Sequence, residues 1–482
     1  MKRLRRASPS LEDAAAAAGS SRLPNLALVV LGCVLFALYV YGRTDNGKNG
    51  IAWLIKLIAL QAVLYFIAAW LIARARRPAR STLIVVIVFA ALFRLGLLFA
   101  PPYLSDDIYR YVWDGRVQAA GINPYRYIPA NPALASLRDE AIYPKINRRE
   151  YAHTIYPPVA QMIYFLATRI SETVTWMKLV MVAFEALTLL ALVRLLASFN
   201  WPPERALIYA WHPLVVWEIA GSGHIDAAMI AFVCLALWAR RRNLEIATGI
   251  ALACATLVKF FPILLFPALY RRWGWRMPLA FAATIMVAYL PYLSAGIRGV
   301  LGFLPGYTEE EGMQNGVRFY LLTVAHKVLG ETNVPNVAFL LFAFCVLAII
   351  ALWMFWKREH TERGFVARAC LLAATFTLLL SPRYSWYFAW LVPFMCLLAP
   401  LSVVPLFYVT AASVVMYGTW LGEQPEWIFT LNTIIYLPCA LLGALIFWMY
   451  RGWNDDDRGR AQETSPELLE ESRPGNYVSS EG

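Results

Sequence analysis

Residues 82–100 read TLIVVIVFAALFRLGLLFA and run straight into Pro101-Pro-Tyr-Leu-Ser-Asp-Asp107. At about 1.5 Å per residue, an apolar run of this length spans the roughly 30 Å hydrocarbon core of a bilayer as a helix. One charge, Arg94, interrupts it, and two acids follow close behind. The fold turns on this pattern: an apolar crossing, then carboxylates at a membrane surface.

Outward from that stretch the pattern repeats. Apolar segments at 24–41, 51–73, 82–100, 173–198, 204–219, 222–239 and 244–259 are followed by others at 260–270, 277–293, 334–356, 364–380, 387–398, 400–418 and 427–450. The length rule makes these about fourteen crossings, some short enough to be broken or partial. Composition agrees. Of 482 residues, 60% are hydrophobic and 15% charged, against about 25% charged in a soluble domain. The predicted fold class is therefore all-α, a polytopic transmembrane helical bundle over residues 24–450. A basic tail at 1–23 precedes it and an acidic, disordered tail at 451–482 follows. Residues 1–21 carry no apolar core of a cleavable signal.

The net charge of +12 does not read as a nucleic-acid surface, because the basic residues come in short clusters between apolar segments. Clusters at 2–6, 74–80, 240–242, 271–276 and 357–363, with Arg451, all fall on one side if the spans alternate. The positive-inside rule makes that side cytoplasmic. The opposite side then holds a long loop at 101–157, a loop at 294–316 with Glu309, Glu310 and Glu311, and a short aromatic turn at 381–386. The long loop's own Lys and Arg residues run against the rule, but the phase of the other clusters outweighs them. The cysteines, Cys33, Cys234, Cys254, Cys345, Cys370, Cys396 and Cys439, lie in apolar runs with no CxxC pair. They read as small core residues, not disulfides or metal ligands. No P-loop, GxGxxG, HExxH or Ser-His-Asp pattern is present, so nucleotide-driven chemistry on the cytoplasmic side has no visible site.

The candidate chemistry gathers on the exterior side. Asp106 and Asp107 repel each other at a partly desolvating surface. Either they accept a proton from an attacking hydroxyl, or, with Ser105, they cap the helix that begins at Ile108. The Tyr and Trp residues of the long loop suit sugar stacking and suit a membrane interface equally. Gly221-Ser-Gly-His-Ile-Asp226 reads as the tip between two spans, either lining a polar cavity or forming a glycine-rich hairpin. Lys259, Arg318 and Arg383 either hold a phosphate or snorkel to the interface. Val159 to Ile170 is too short to cross and reads as a juxtamembrane helix. Arg94, Lys56 and Glu185 read as partners inside the bundle.

Taken together, Ser105-Asp-Asp-Ile-Tyr-Arg-Tyr-Val-Trp-Asp-Gly-Arg116, Gly121-Ile-Asn-Pro-Tyr125 and Tyr156-Pro-Pro158 resemble the GT-C glycosyltransferases. The likeness is to bacterial family 87 and polyprenol-phosphomannose-dependent mannosyltransferases, and to the first mannosyltransferase of GPI-anchor synthesis. His212-Pro-Leu214, Gly223-His-Ile-Asp226, Lys259-Phe-Phe-Pro262 and Ser381-Pro-Arg-Tyr-Ser-Trp-Tyr387 follow in the same order, so the resemblance covers roughly residues 94–390. The family's acidic pair is often spaced Asp-x-Asp; here it is contiguous. Counting back from the Gly-x-x-Pro-Tyr turn favours Asp107 as the base.

The resemblance implies an inverting transfer of a hexose, mannose above all, from a polyprenyl-phosphate-sugar donor to a lipid or polysaccharide acceptor. It places the protein in the bacterial inner (cytoplasmic) membrane, among membrane lipids, with an extracytoplasmic site and no metal or other cofactor. Asp107 and Asp106 would be catalytic. Arg110, Trp113, Asp114, Arg116, Tyr125, Tyr156, His224, Asp226, Lys259, Arg318, Arg383 and Tyr384 would bind substrate. The competing classes are a lipid-sugar flippase, to which membrane charges and helices broken near Pro262 and Pro267 are suited, and a non-catalytic subunit of an envelope assembly.

Overall fold

The structure, a computed structural model, describes residues 11–45, 50–74, 80–300, 302–310, 312, 319–330, 334–357, 363–397, 403–422, 424–438 and 440–441. It is 79% helical, and no strand occurs among the described residues. The predicted all-α fold class is what is found. Residues Met1–Asn432 and Thr433–Gly482 form separate compact units. Of the second, only the end of the helix over 425–438 and residues 440–441 are described, and the acidic tail lies outside the described residues.

The first unit begins with α1 (Leu11–Asp45), α2 (Gly50–Arg74) and α3 (Arg80–Leu98), then the shorter helices α4 (Asp107–Ala119) and α5 (Pro158–Thr168). It continues through α6 (Val174–Ser198), α7 (Asp226–Arg241), α8 (Glu245–Thr256) and α9 (Arg276–Tyr289). Then follow α10 (Leu304–Glu310), α11 (Tyr320–Leu329), α12 (Asn336–Trp356), α13 (Gly364–Leu380) and α14 (Val403–Met416). Seven helices among the described residues are long and apolar enough to cross a membrane, beginning with Asn25–Thr44 of α1 and ending at Val404–Leu421. Shorter apolar helices such as α5, α8 and α13 fill the remaining segments. α5 is the short juxtamembrane helix that the length of its apolar run predicts.

The segment read as a span at 204–219 is instead a chain of short helices, Pro203–Ala206, Leu207–Ala210, Pro213–Val215 and the π-helical Val216–Gly221. Proline explains the break. Pro213 lacks a donor and forces His212 into extended backbone, at φ −63° and ψ 121°. This broken segment is buried from Ala206 onward, and so are Gly221 to Asp226. The glycine-rich stretch is therefore no surface tip. It is folded into the bundle, where irregular backbone is tolerated because protein surrounds it.

Charges inside the bundle are paired as the cost of burying a lone ion requires. Arg94 of α3 meets Glu185 of α6 at 2.8 Å, both buried. Lys178 of α6 donates to the carbonyls of Leu97 and Ala100, at 2.8 Å each. It satisfies orphan acceptors at the end of α3 and fixes where the long loop departs. Lys56 does not join these partners. It is exposed on α2, because its helix position faces outward. Leu340, Leu341, Phe342 and Phe344 of α12 are likewise exposed, as a helix facing lipid requires.

Candidate active site

Lys178 anchors the end of α3, and the chain then turns through Ser105 into α4. The Ser105 Oγ accepts the Asp107 amide at 3.2 Å, while the Asp106 side chain makes no capping hydrogen bond. The two carboxylates are thus not spent as helix caps, and they stand near the N-terminus of α4, where the helix dipole favours negative charge. Asp107 is half-buried and accepts a 2.8 Å hydrogen bond from Asn147 Nδ2, forty residues along the chain. Burial and the Asp107 charge beside it raise the Asp106 pKa above the usual carboxylate range, with Lys145 opposing.

α4 is held from behind by a polar network. Arg110 pairs with Asp114 at 2.8 Å and donates to the Ala152 carbonyl. Gln161 of α5 donates to Asp114 and to Thr154, and also accepts from Gln118. Gly115 lets α5 approach, since a Cβ there would lie 2.5 Å from the Tyr164 carbonyl oxygen. Arg116 fastens the loop through Asp139 and Glu172, both at 2.7 Å, and through the Leu137 carbonyl. Trp113 is buried against Tyr143. Tyr125 is buried and donates to the Tyr156 carbonyl at 2.6 Å. The sequence reading gave Arg110, Trp113, Asp114, Arg116 and Tyr125 to substrate. In the structure these five side chains stand outside the cavity lining and hold the loop together.

In front of the acidic pair lies a cavity of about 390 Å³, lined by Asp106, Asp107, Tyr156, Lys259, Tyr384 and Trp386 among others. Four distant segments meet there. Lys259, at the end of the stretch after α8, contacts both Asp226 oxygens at 2.9 and 2.7 Å and lies 4.9 Å from the Tyr387 ring. Tyr384 stacks on Trp386, with ring centroids 4.4 Å apart and 4° between planes. Trp386 in turn packs on the buried ring of His224, again at 4.4 Å. His224 Nδ1 is 3.0 Å from Glu218 Oε2, an ion-pair distance without hydrogen-bond alignment. The other Glu218 oxygen accepts from Ser385 and Tyr417. Gly223, at φ +80°, makes the turn that brings His224 and Asp226 in from α7.

The fourth segment is the loop that carries α10. Arg148 pairs with Glu310 at 2.5 Å, and the Tyr307 and Tyr387 hydroxyls are 2.8 Å apart. α10 is thereby strapped over the cavity, and Gly302, at φ +57°, sits where a Cβ would overlap the Thr154 carbonyl.

Residues 21–276 match the model of the MptA_B family, described as alpha-(1->6)-mannopyranosyltransferase, N-terminal domain. The chain belongs to this family. The matched region runs from α1 into the start of α9, and it carries the acidic pair, the α4–α5 network, His224, Asp226 and Lys259. Membership supports a GT-C family 87 mannosyltransferase-like protein, as the ordered motifs suggested. It makes the chain a glycosyltransferase, and with the seven apolar helices a multi-pass membrane protein. The strap at 302–310 and the turn at 381–387 lie beyond the match. No curated protein matches the chain.

Of the expected substrate residues, the cavity gathers Tyr156, Lys259 and Tyr384 at its wall, with Asp226 and His224 directly behind. Arg383 is not in the lining; its guanidinium stands 5.8 Å from the Tyr384 ring. Arg318 lies outside the described residues. Among those described, no group of three or more His, Cys, Asp or Glu converges as a metal-ligand set. Sequence reading missed Asn147, Arg148 and Tyr307, which lie in irregular loops with no periodicity to mark them. The one available signal was a run of polar residues, Asn147-Arg-Arg-Glu150, within a loop otherwise rich in Tyr and Pro.

Proposed function

We propose that the protein transfers mannose from a polyprenyl-phosphate donor to a lipid or glycan acceptor at the extracytoplasmic surface of a bacterial inner membrane. The observation that carries this reading is the meeting of Asp106, Asp107 and Lys259 in one aromatic-walled cavity. Asp107 takes the proton of the acceptor hydroxyl. The hydroxyl oxygen forms its bond to the anomeric carbon as the bond from that carbon to the phosphate oxygen breaks, and polyprenyl phosphate leaves. A base on one face of the sugar and a leaving phosphate on the other give inversion.

Lys259 supplies positive charge for the departing phosphate, with Arg148 a second cation in the same lining. Asp226 holds the Lys259 ammonium in place until phosphate arrives. Tyr384, backed by the stacked Trp386, offers its ring to a sugar, and Phe260 and Phe261 offer apolar surface to the first isoprene units. The hydrogen bond from Asn147 orients the Asp107 carboxylate at the cavity, which supports Asp107 as the base.

Transfer from a synthetic polyprenyl-phosphate mannose, assayed in detergent, tests the reading, since transport cannot be scored there. Asp107→Asn is expected to lower turnover by about 100-fold or more, the size of a general-base contribution, while the protein remains in the membrane. Undiminished transfer by that variant would remove the assignment of the base. Transfer that proceeds from a sugar nucleotide and not from the lipid donor would remove the donor.

A further inference from the structure

At the other end of α7, about 21 Å along the helix from Asp226, lies another cavity. Asp226 begins α7 beside Lys259, and Arg240 near its end lines this other cavity, fourteen residues away at about 1.5 Å each. The cavity encloses about 600 Å³ and gathers Arg240, Arg271, Arg272, Lys357 and Arg368. Among the described residues of its lining there is no carboxylate. Four of these cations come from three basic clusters far apart in sequence and Arg368 comes from α13, and charges placed only to orient spans have no need to converge. Like charges brought together in this way repel, and an anion offsets the cost.

Of the five cations, Arg240, Arg271 and Arg368 are at least partly buried, and Arg272 and Lys357 face outward. Arg368 donates to the carbonyls of Met354 and Lys357, at 3.0 and 2.7 Å, and so closes the end of α12. Arg240 lies over the Phe365 ring, and together with Arg271 it also borders a small adjoining cleft that contains Glu245. Arg272 and Lys357 are exposed. The Arg272 guanidinium is held 5.2–5.4 Å from the rings of Trp273, Phe355 and Trp356, and Lys357 lies 5.2 Å from Trp353. Aromatic rings thus position these charges and leave their donors available to a ligand.

We infer that this cavity binds the phosphodiester headgroup of an anionic membrane phospholipid. The geometry favours a lipid over a soluble anion because the cavity opens at the end of α12, the helix whose apolar side chains are the most exposed. Ile349, Leu352, Trp353 and Trp356 form an outward apolar face leading to Lys357. A lipid whose acyl chains lie along that face brings its phosphate to Arg272 and Lys357. Trp273 and Trp356 occupy the headgroup level where indole rings prefer to sit. Basic pockets between membrane helices have this recognition chemistry, and arginine forks fit phosphate oxygens in pairs. The inference is independent of the donor assignment above.

The test is native mass spectrometry of the full chain in detergent, titrated with phosphatidylglycerol, phosphatidylcholine or inorganic phosphate. Phosphatidylglycerol is expected to bind in preference to phosphatidylcholine and to stay bound in excess inorganic phosphate. Arg272→Gln/Lys357→Gln is expected to weaken phosphatidylglycerol binding by about thirtyfold, with the lipid-free melting temperature unchanged. The single variants, at exposed positions, are each expected to weaken it by about fivefold and serve if the pair does not fold. Lys56→Gln, which removes an exposed cation elsewhere, is expected to leave binding as it was. Equal binding of the two phospholipids, wild-type affinity in the Gln variants, or displacement by inorganic phosphate would each overturn the proposal.

Discussion

At the scale of single residues, the site separates groups that look alike in sequence. Arg110 and Lys259 are both basic residues beside motif positions, yet Arg110 is locked to Asp114 within its own helix and Lys259 reaches a cavity. The Lys259–Asp226 pair has two duties, structural and electrostatic, and these can be told apart. Lys259→Met leaves the buried Asp226 without its partner and is expected to cost about 3–5 kcal/mol of stability. Lys259→Met/Asp226→Leu is expected to recover much of that stability while transfer stays lost. Thermal unfolding read beside turnover checks this, and recovered turnover in the double variant would confine the pair to a structural role. Asp139 supplies a pH-dependent tie. Against a burial that would raise it, the Arg116 guanidinium and the amides of Ile142 and Tyr143 lower its pKa to about 2. Because the folded value is depressed, the stabilisation is present above the ordinary carboxylate pKa of 3.8 and is lost as pH falls from there toward about 2. Pepsin cleavage within 137–143 is therefore expected to rise over that window, and Asp139→Asn is expected to be cut readily at the upper end of it as well.

At the scale of elements, the acidic pair is only as well placed as α4, and α4 is placed by its neighbours. α5 packs on it so closely at Gly115 that the nearest obstacle to a Cβ is backbone, not a movable side chain. Gly115→Ala is expected to cost about 1–3 kcal/mol and to lower turnover by loosening the Asp107–Asn147 contact, although neither residue is altered. Melting temperature and transfer rate measured together check it; a variant with full stability and activity would mean that α5 does not fix α4. The broken stretch between α6 and α7 works on the same principle. Its prolines and π-turn deny it a regular span, and what it gains is the delivery of Glu218 and His224 to the rear of the cavity.

At the scale of the whole molecule, the two cavities lie at opposite ends of α7, and among the described residues Arg240, Arg271, Arg272 and Lys357 gather at one of them. By the positive-inside rule this arrangement supports the proposal that the acidic cavity faces outside the cell. A membrane-impermeant thiol reagent applied to intact cells is expected to label Glu140→Cys, an exposed loop position, and to leave it unlabelled if the loop faces the cytosol. How much of this was legible beforehand follows from the physics of each signal. Apolar runs such as 82–100 and the phase of the basic clusters are local, and a bilayer imposes them on any chain, so the sequence by itself determined an all-helical membrane bundle with its acids at one face. Short motifs in a shared order were enough to suggest the family. Tertiary structure alone decided which motif residues line the cavity. Arg110, Trp113, Asp114, Arg116 and Tyr125 stand beside the acids in sequence but turn into the loop's interior. Asn147, Arg148, Tyr307 and the convergence of Arg272 with Lys357 depend on contacts between segments far apart, and nothing in the composition of a stretch of chain records which distant stretch will pack against it.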